Sequence, residues 1–470
     1  MSKNPTDTRP LAEGKIGKLL IDYSWPALIS MTLNALYSVV DRLYIANGCG
    51  EDAIAGLTIA FPVMMVFVSV GVFIGLGHAS LLSIKLGQHD REGAEKTLGE
   101  CVALKLLAFF ILPPLAYLFM DEIIALSGGA TASAGAATAA KQYLGITLIS
   151  HFFSHLAFGL SSAMRSEGAA RRSMLCMIVG FGTNLILDPL FIFTFGWGIA
   201  GAAWATVISM FASMCVALHY YLGGKSAVKL RICRIRIHRG IFSRAAAIGT
   251  APFLQQLAGA LINLSLAAAL GFWAESKDEA TVQIAALGIF QTAMMIFIMP
   301  VLGIQQGVAP IIGFNWGARN LGRVKEALLL ALKLITAVCT CAALIQTLCS
   351  ESLAKLFAEN GNDRLVQTGA YALRVSCCML WCIGLNITMT TYFQAIGRAK
   401  TAILLSLLRQ LICMLPCIWI LPIFCTPREL GVWLTMPCSD ILACLATIPF
   451  FIKHLRFLGR IGNSEMKTQH

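Results

Sequence analysis

The sequence predicts an all-α polytopic membrane protein, with twelve transmembrane helices in two pseudo-symmetric six-helix lobes repeated in parallel. Three observations predict it. Of 470 residues, 57% are apolar and only 13% charged, against roughly 45–50% and 25% in soluble domains. The mean hydropathy of +0.74 agrees, and the chain repeats itself at a shift of about half its length. Composition alone excludes a soluble enzyme, a nucleic-acid module, a secreted disulfide scaffold and a disordered chain.

Apolar runs between polar breaks give the twelve spans in order: 19–45, 53–84, 98–120, 138–163, 173–195, 198–222, 244–273, 282–313, 327–350, 367–395, 401–423 and 430–452. A span needs about 20 apolar residues, so the longer runs call for tilt or kinks. The first 18 residues are polar, and no small-residue cleavage site follows the first run. It is therefore read as a retained span rather than a signal peptide. The 16 cysteines lie mostly in apolar runs and read as small core side chains rather than disulfides.

Orientation follows from the basic residues. The side bearing both termini and the even-numbered loops carries 26 Lys and Arg, and the opposite side carries 5. The excess of basic residues marks the cytoplasmic side, so both termini are expected in the cytoplasm of a multi-pass cell-membrane protein. The same excess accounts for the formal net charge of +12 without nucleic acid. Its densest stretch, VKLRICRIRIHRG at 228–240, alternates basic and apolar residues and reads as a connector resting on anionic headgroups.

Shifting the chain by 230 residues superposes 11 identical residues within positions 54–87, including Met64 on Met294, Gly77 on Gly307 and Gly87 on Gly317. Gly168 falls on Gly397 at nearly the same shift. The expected organisation is a lobe at 1–222, a basic linker at 223–243 and a second lobe with its tail at 244–470. Six is even, so the halves share one orientation and are related by an axis along the membrane normal, an arrangement found in secondary transporters.

Ionisable residues inside spans cost about 2.5–3.5 kcal/mol each on insertion scales and mark function by default. Asp41 lies near the outer end of span one, and Asp188 deep in span five. Asn184 precedes Asp188 by one helical turn and shares its face, while Pro189 frees the Leu185 carbonyl beside them. Thr206 of span six adds a hydroxyl. Two carboxylates, an amide and a hydroxyl are hard oxygen ligands that suit a proton or Na⁺ and not a soft metal. The competing reading pairs Asp41 with Arg42 at the interface. The repeat copies neither carboxylate, since Asp188 falls on Cys417, so the ion chemistry is expected in the first lobe alone.

Other polar residues carry less. His151 and His155, one turn apart in HFFSH, lack the glutamate of a zinc-hydrolase helix and read as core or pore-lining histidines. Asp440 and Arg409, on neighbouring spans, read as a structural pair with a substrate role as the alternative. No GxxxxGK[ST] occurs, so ATP is not the expected energy source.

On YSVVDRLYIANGCGEDAIAGLTIAFPV (37–63), MRSEGAARRSM (164–174), NLILDPLFIFTFGWGIAGAAWAT (184–206) and QQGVAPIIGFNWGARNLGRVKEA (305–327), the chain resembles the MATE family of multidrug and toxic compound extrusion transporters over essentially its whole length. The resemblance implies export of cationic or amphipathic organic compounds in exchange for Na⁺ or H⁺, without catalysis or a cofactor, by a monomer. It looks closest to the DinF-like branch, in which residues matching Asp41, Asn184, Asp188 and Thr206 hold the cation. In that branch Tyr143 matches a nearby tyrosine, and Pro26 a proline where span one bends. Another branch has an acidic residue within span seven; here PFLQQLAGALINLSLAAAL has none. The alternatives are a flippase for lipid-linked oligosaccharides and an intramembrane metal enzyme built on His151 and His155.

Overall fold

A computed structural model describes residues 9–129, 132–224, 226–357 and 363–468. Among the described residues there are helices and no strands. The first lobe comprises α1 (Ile16–Cys49), α2 (Glu51–Gly87), α3 (Arg91–Leu118), α4 (Ala134–Ser166), α5 (Ala170–Pro189) and α6 (Gly198–Leu222). The second comprises α7 (Arg239–Trp273), α8 (Lys277–Gly317) and α9 (Leu321–Leu348), then α10 (Asp363–Ala395) and α11 (Ala399–Phe424), and last α12 (Arg428–Thr468). Eleven of these, among the described residues, are long and apolar enough to cross a membrane. The other, α1, runs 34 residues at the place of the first expected span. Most of the helices outrun their apolar windows because the polar flanks continue the helix into water. In α3 the extension is Arg91–Lys96, entered through Asp90, whose carboxylate caps the Gly93 N–H at 2.8 Å.

The repeat is visible in backbone detail that composition does not carry. His89 and Arg319, 230 positions apart, both adopt positive φ, 57° and 60°. Gly168 and Gly397 do likewise at 97° and 77°. Short helices begin at Met120 and at Ser350, again 230 apart. Gly87 leaves room for the Phe314 carbonyl and Gly317 for the Ile84 carbonyl, and a Cβ at either glycine would overlap that oxygen. Each lobe's second helix therefore crosses its counterpart reciprocally.

The lobes meet near the end that carries the termini and the linker. There α8 lies on α1, where a Cβ at Gly303 would stand 2.6 Å from Leu28 Cα and one at Gly307 2.7 Å from Ser24 Cα. The equivalent crossing sets α2 on α7, with Gly77 under the Ala245 carbonyl and Gly249 under that of Phe73. Small residues let membrane helices approach this closely, so dispersion replaces the hydrophobic drive that lipid removes. Arg323 ties the N-terminal segment to the second lobe by donating to the Gly14 carbonyl at 2.7 Å and the Leu11 carbonyl at 3.2 Å.

The connector at 228–240 is anchored to the first lobe along part of its length, while Ile232 and Ile237 stay exposed. Val228 is wholly buried. Glu167 accepts the N–H groups of Ala227 and Val228 at 2.9 and 3.3 Å and the Tyr221 hydroxyl at 2.8 Å. Glu95 pairs with Arg234 at 3.0 Å and Arg231 at 3.4 Å. Buried carboxylates at the lobe's rim thus hold the start and the middle of the basic segment. Burial pushes the Glu167 carboxyl up to about 7 against the pull of these donors.

Candidate cation site in the first lobe

Four helices of the first lobe converge on the two carboxylates. Asp188, on α5, is buried and accepts from Asn184 Nδ2 at 3.1 Å, as one-turn spacing allows. Pro189 ends the regular helix immediately after it, and the wider turn Leu190–Thr194 follows. Asp41, on α1, is in side-chain hydrogen-bond contact with Asp188. Two carboxyls that touch hold a proton between them or share a cation, since two bare anions at that distance repel. Arg42, the other partner suggested for Asp41, has its side chain outside the described residues.

Thr206, on α6, donates its hydroxyl proton to the Ala202 carbonyl at 3.1 Å, which leaves the oxygen's lone pairs available. Tyr37, one turn before Asp41 on α1, shares a hydrogen bond with Thr206 and lies close to Asp41, Tyr143 and Asp188. Its ring stacks on Phe181 at 5.4 Å. Tyr143, on α4, is buried in the same cluster. Asp41, Asn184, Asp188, Thr206 and Tyr143 are thus gathered at one place. Tyr37 belongs with them and sequence reasoning passed over it; the signal was its i, i+4 spacing to Asp41.

The donor set fits a hard cation or a proton. Asn184 spends its amide N–H on Asp188, and its Oδ1 is buried with no hydrogen-bond partner among the described residues. A buried amide oxygen without a donor is costly, and a cation or a water bound there removes the cost.

The remaining predicted residues lie elsewhere. Pro26 is buried in α1, eleven residues and so about 16 Å along the helix from Tyr37. It sits between Ser24 and Leu28, where α8 crosses. Ser30 donates to the Pro26 carbonyl at 2.8 Å, and α1 is a continuous helix through this point. Asp440 and Arg409 belong to the second lobe and pair at 2.7 Å, with Asp440 buried. His151 and His155 are buried in α4 with ring centroids 5.5 Å apart. Among the described residues no group of three His, Cys, Asp or Glu side chains is placed to hold a metal.

A family model described as MatE matches residues 26–190 and again 257–420, one copy in each half. The multidrug export protein MepA of Staphylococcus aureus (strain NCTC 8325 / PS 47) is 26% identical over 403 residues, covering 83% of this chain and 84% of that protein. An FAD transporter of Shewanella oneidensis is 25% identical over 414 residues, covering 87% and 89%. Among solved structures, the outward-facing conformation of a multidrug resistance MATE family transporter aligns with a TM-score of 0.89 at 23% identity, over 98% of this chain and 99% of that one. A MATE in the straight conformation gives 0.88 at 24%, over 98% and 100%. These structural likenesses carry the fold.

Proposed function

The chain belongs to the MatE family, and on that premise we propose that it is a secondary antiporter that exports cationic or amphipathic organic compounds in exchange for an inward-moving Na⁺ or H⁺. The observation that carries this reading is the contact between Asp41 and Asp188 beside the spare Asn184 oxygen. An ionised pair left bare inside a helix bundle is costly, so the site binds a cation or a proton in each stable state. Exchange of that ion against cargo then couples the gradient to export. The electrical component supplies about 2.3 kcal/mol per charge for each 100 mV.

The two ends of α1 divide the work. Its outer half carries Tyr37 and Asp41, and its other half carries Pro26 at the α8 crossing. The Asp22 carbonyl has no N–H to accept from at Pro26, so bending costs least there. Occupancy of the carboxylates changes how the outer half of α1 packs on α5 and α6, and the proline turns that change into a bend that closes the cargo pocket. The protein works as a monomer in the cell membrane with both termini cytoplasmic, and the coupling residues are those of the DinF-like branch. The MepA relatives favour multidrug cargo over a lipid-linked sugar.

The test is dye efflux from proteoliposomes under separately imposed Na⁺ and H⁺ gradients. Asp41→Asn and Asp188→Asn keep size and hydrogen bonding and remove the charge. Both should abolish gradient-driven efflux with near-normal folding. Wild-type rates in both variants would refute the assignment.

A further inference from the structure

The first lobe holds a second set of buried ionisable groups that the antiport reading does not use. On α4, Tyr143, Thr147, His151 and His155 follow at four-residue steps, so they form one row with a rise of about 6 Å per step. All four are buried, with exposures of 4%, 0%, 6% and 6%. The row faces α2 and α3 within the lobe. His151 stacks on Phe67 at 4.7 Å. Gly71 lies so close to His155 that a Cβ there would stand 3.0 Å from Nε2.

Lys105 of α3 reaches the same place. It is 2% exposed, and its Nζ donates to the Gly71 carbonyl at 3.2 Å. Gly159 of α4 leaves the space its stem occupies. Apart from His155, the titratable side chain facing it is Cys101, one turn back on α3. Five residues before Lys105, Glu100 is wholly buried. Its Oε1 lies 3.4 Å from His78 Nε2, and its Oε2 accepts the His238 N–H of the linker at 2.6 Å. Buried ionisable groups are thus spaced through the lobe between the carboxylate pair and the linker face.

The unsatisfied atoms say what the row does. The Nε2 atoms of His151 and His155 are both buried and have no hydrogen-bond partner among the described residues. Each calls for a water. A separation of about 6 Å is the length of two hydrogen bonds through one water. Amine and imidazole nitrogens are poor ligands for a hard metal cation, which wants oxygens. Imidazole does suit proton transfer, since it accepts at one nitrogen and releases from the other.

We propose that this row is a proton path, leading from the Asp41–Asp188 pair past Tyr143, His151, His155 and Lys105 to Glu100 and His78 at the linker face, and that the coupling ion is therefore a proton. The inference rests on the antiport reading of the carboxylate pair, and adds the ion and its exit. Each hop delivers one proton to a nitrogen or oxygen and releases one from its far side. The proton that entered at the carboxylates is matched by one that leaves at Glu100, and each imidazole is left as its other tautomer, which a ring flip restores before the next transfer.

The test uses full-length protein in proteoliposomes containing a pH-sensitive dye, with cargo efflux and proton uptake recorded together. His155→Gln and Lys105→Gln keep polar side chains of similar reach but do not titrate. Wild type should take up protons as cargo leaves under a pH gradient. Each variant should lose about 100-fold in the proton-coupled rate, the scale of a lost proton-transfer group, with cargo Kd and Tm nearly unchanged. A purely structural role would shift Tm instead. Glu100→Gln, at the far end, reads the same loss should either variant fail to fold. Wild-type proton uptake in all three variants, or wild-type efflux driven by a Na⁺ gradient alone, would overturn the path while leaving antiport intact. Failure of every gradient to drive wild-type efflux would remove the antiport reading and this one with it.

Discussion

His89 and Arg319 hold the same left-handed backbone, φ 57° and 60°, at turns 230 residues apart in the two lobes. Neither is a glycine, so each pays the steric cost of its Cβ at a sharp turn between long helices. The second and third helices of each lobe are joined there, and the repeat preserves the conformation although the residue differs. A β-branched residue in this region adds to that cost. His89→Val and Arg319→Val should each destabilise by about 1–2 kcal/mol, and His89→Gly and Arg319→Gly by little or nothing, in thermal melts of detergent-solubilised protein. Unequal effects at the two turns would argue against their equivalence.

Tyr37 offers a cleaner probe of the cation site than the carboxylates do. Tyr37→Phe keeps the ring stacked on Phe181 and removes the hydroxyl shared with Thr206. A hydrogen bond of about 0.5–1.5 kcal/mol predicts a loss of roughly 2–10-fold in apparent affinity for the coupling ion. Efflux measured against ion concentration reads it directly. Phe181→Ala, which removes the stack, should weaken the site further by freeing the Tyr37 ring.

Asp440 and Arg409 should behave as a structural pair. Asp440→Asn leaves the half-buried Arg409 guanidinium without its counter-charge and should lower stability by about 1–3 kcal/mol. The double variant Asp440→Leu with Arg409→Met should lose less, because removing both charges removes the desolvation cost too. A double-mutant cycle on Tm measures the difference. Efflux by folded Asp440→Asn should stay well above that of Asp188→Asn.

Docking of the linker should weaken as pH rises. The Glu167 carboxyl stands at about 7, above its ordinary 4.5, because the docked linker and α6 bury it. The docked state therefore binds the extra proton. Its advantage is full below about pH 4.5, falls as pH rises to about 7, and is flat beyond. The groups facing Glu167 are the Tyr220 and Tyr221 hydroxyls and the linker N–H donors, none of which titrates in that window. Protection of the amides at 227 and 228, corrected for intrinsic exchange, should fall between about pH 4.5 and pH 7 and level off above. Glu167→Gln should flatten the dependence; an unchanged slope would exclude Glu167 as its source.

The twelve spans, the parallel repeat, the separation of the basic side and the one-turn pairing of Asn184 with Asp188 were all legible in the sequence. Each is local or periodic: hydropathy over about 20 residues, identity at one shift, or a four-residue step on one helix. The hydrophobic penalty for a misplaced polar residue in lipid makes such signals strong. The convergence of Asp41 with Asp188 came from resemblance rather than from spacing, since they lie 147 positions apart.

The tertiary structure decided which side chains meet across helices. Tyr37 joined the cation site because α1 packs on α5 and α6. Lys105, a bare basic residue in an apolar run, became part of a buried row because Gly71 and Gly159 leave it room. The linker's contacts with Glu95, Glu100 and Glu167, which lie sixty or more residues upstream, could not be read from its alternation of charge and apolar residues. Composition states what a segment can bind, whereas the strongest partner within reach is set by how distant helices are brought together. That is why the membrane fold could be read along the chain, and the inner chemistry of the first lobe only across it.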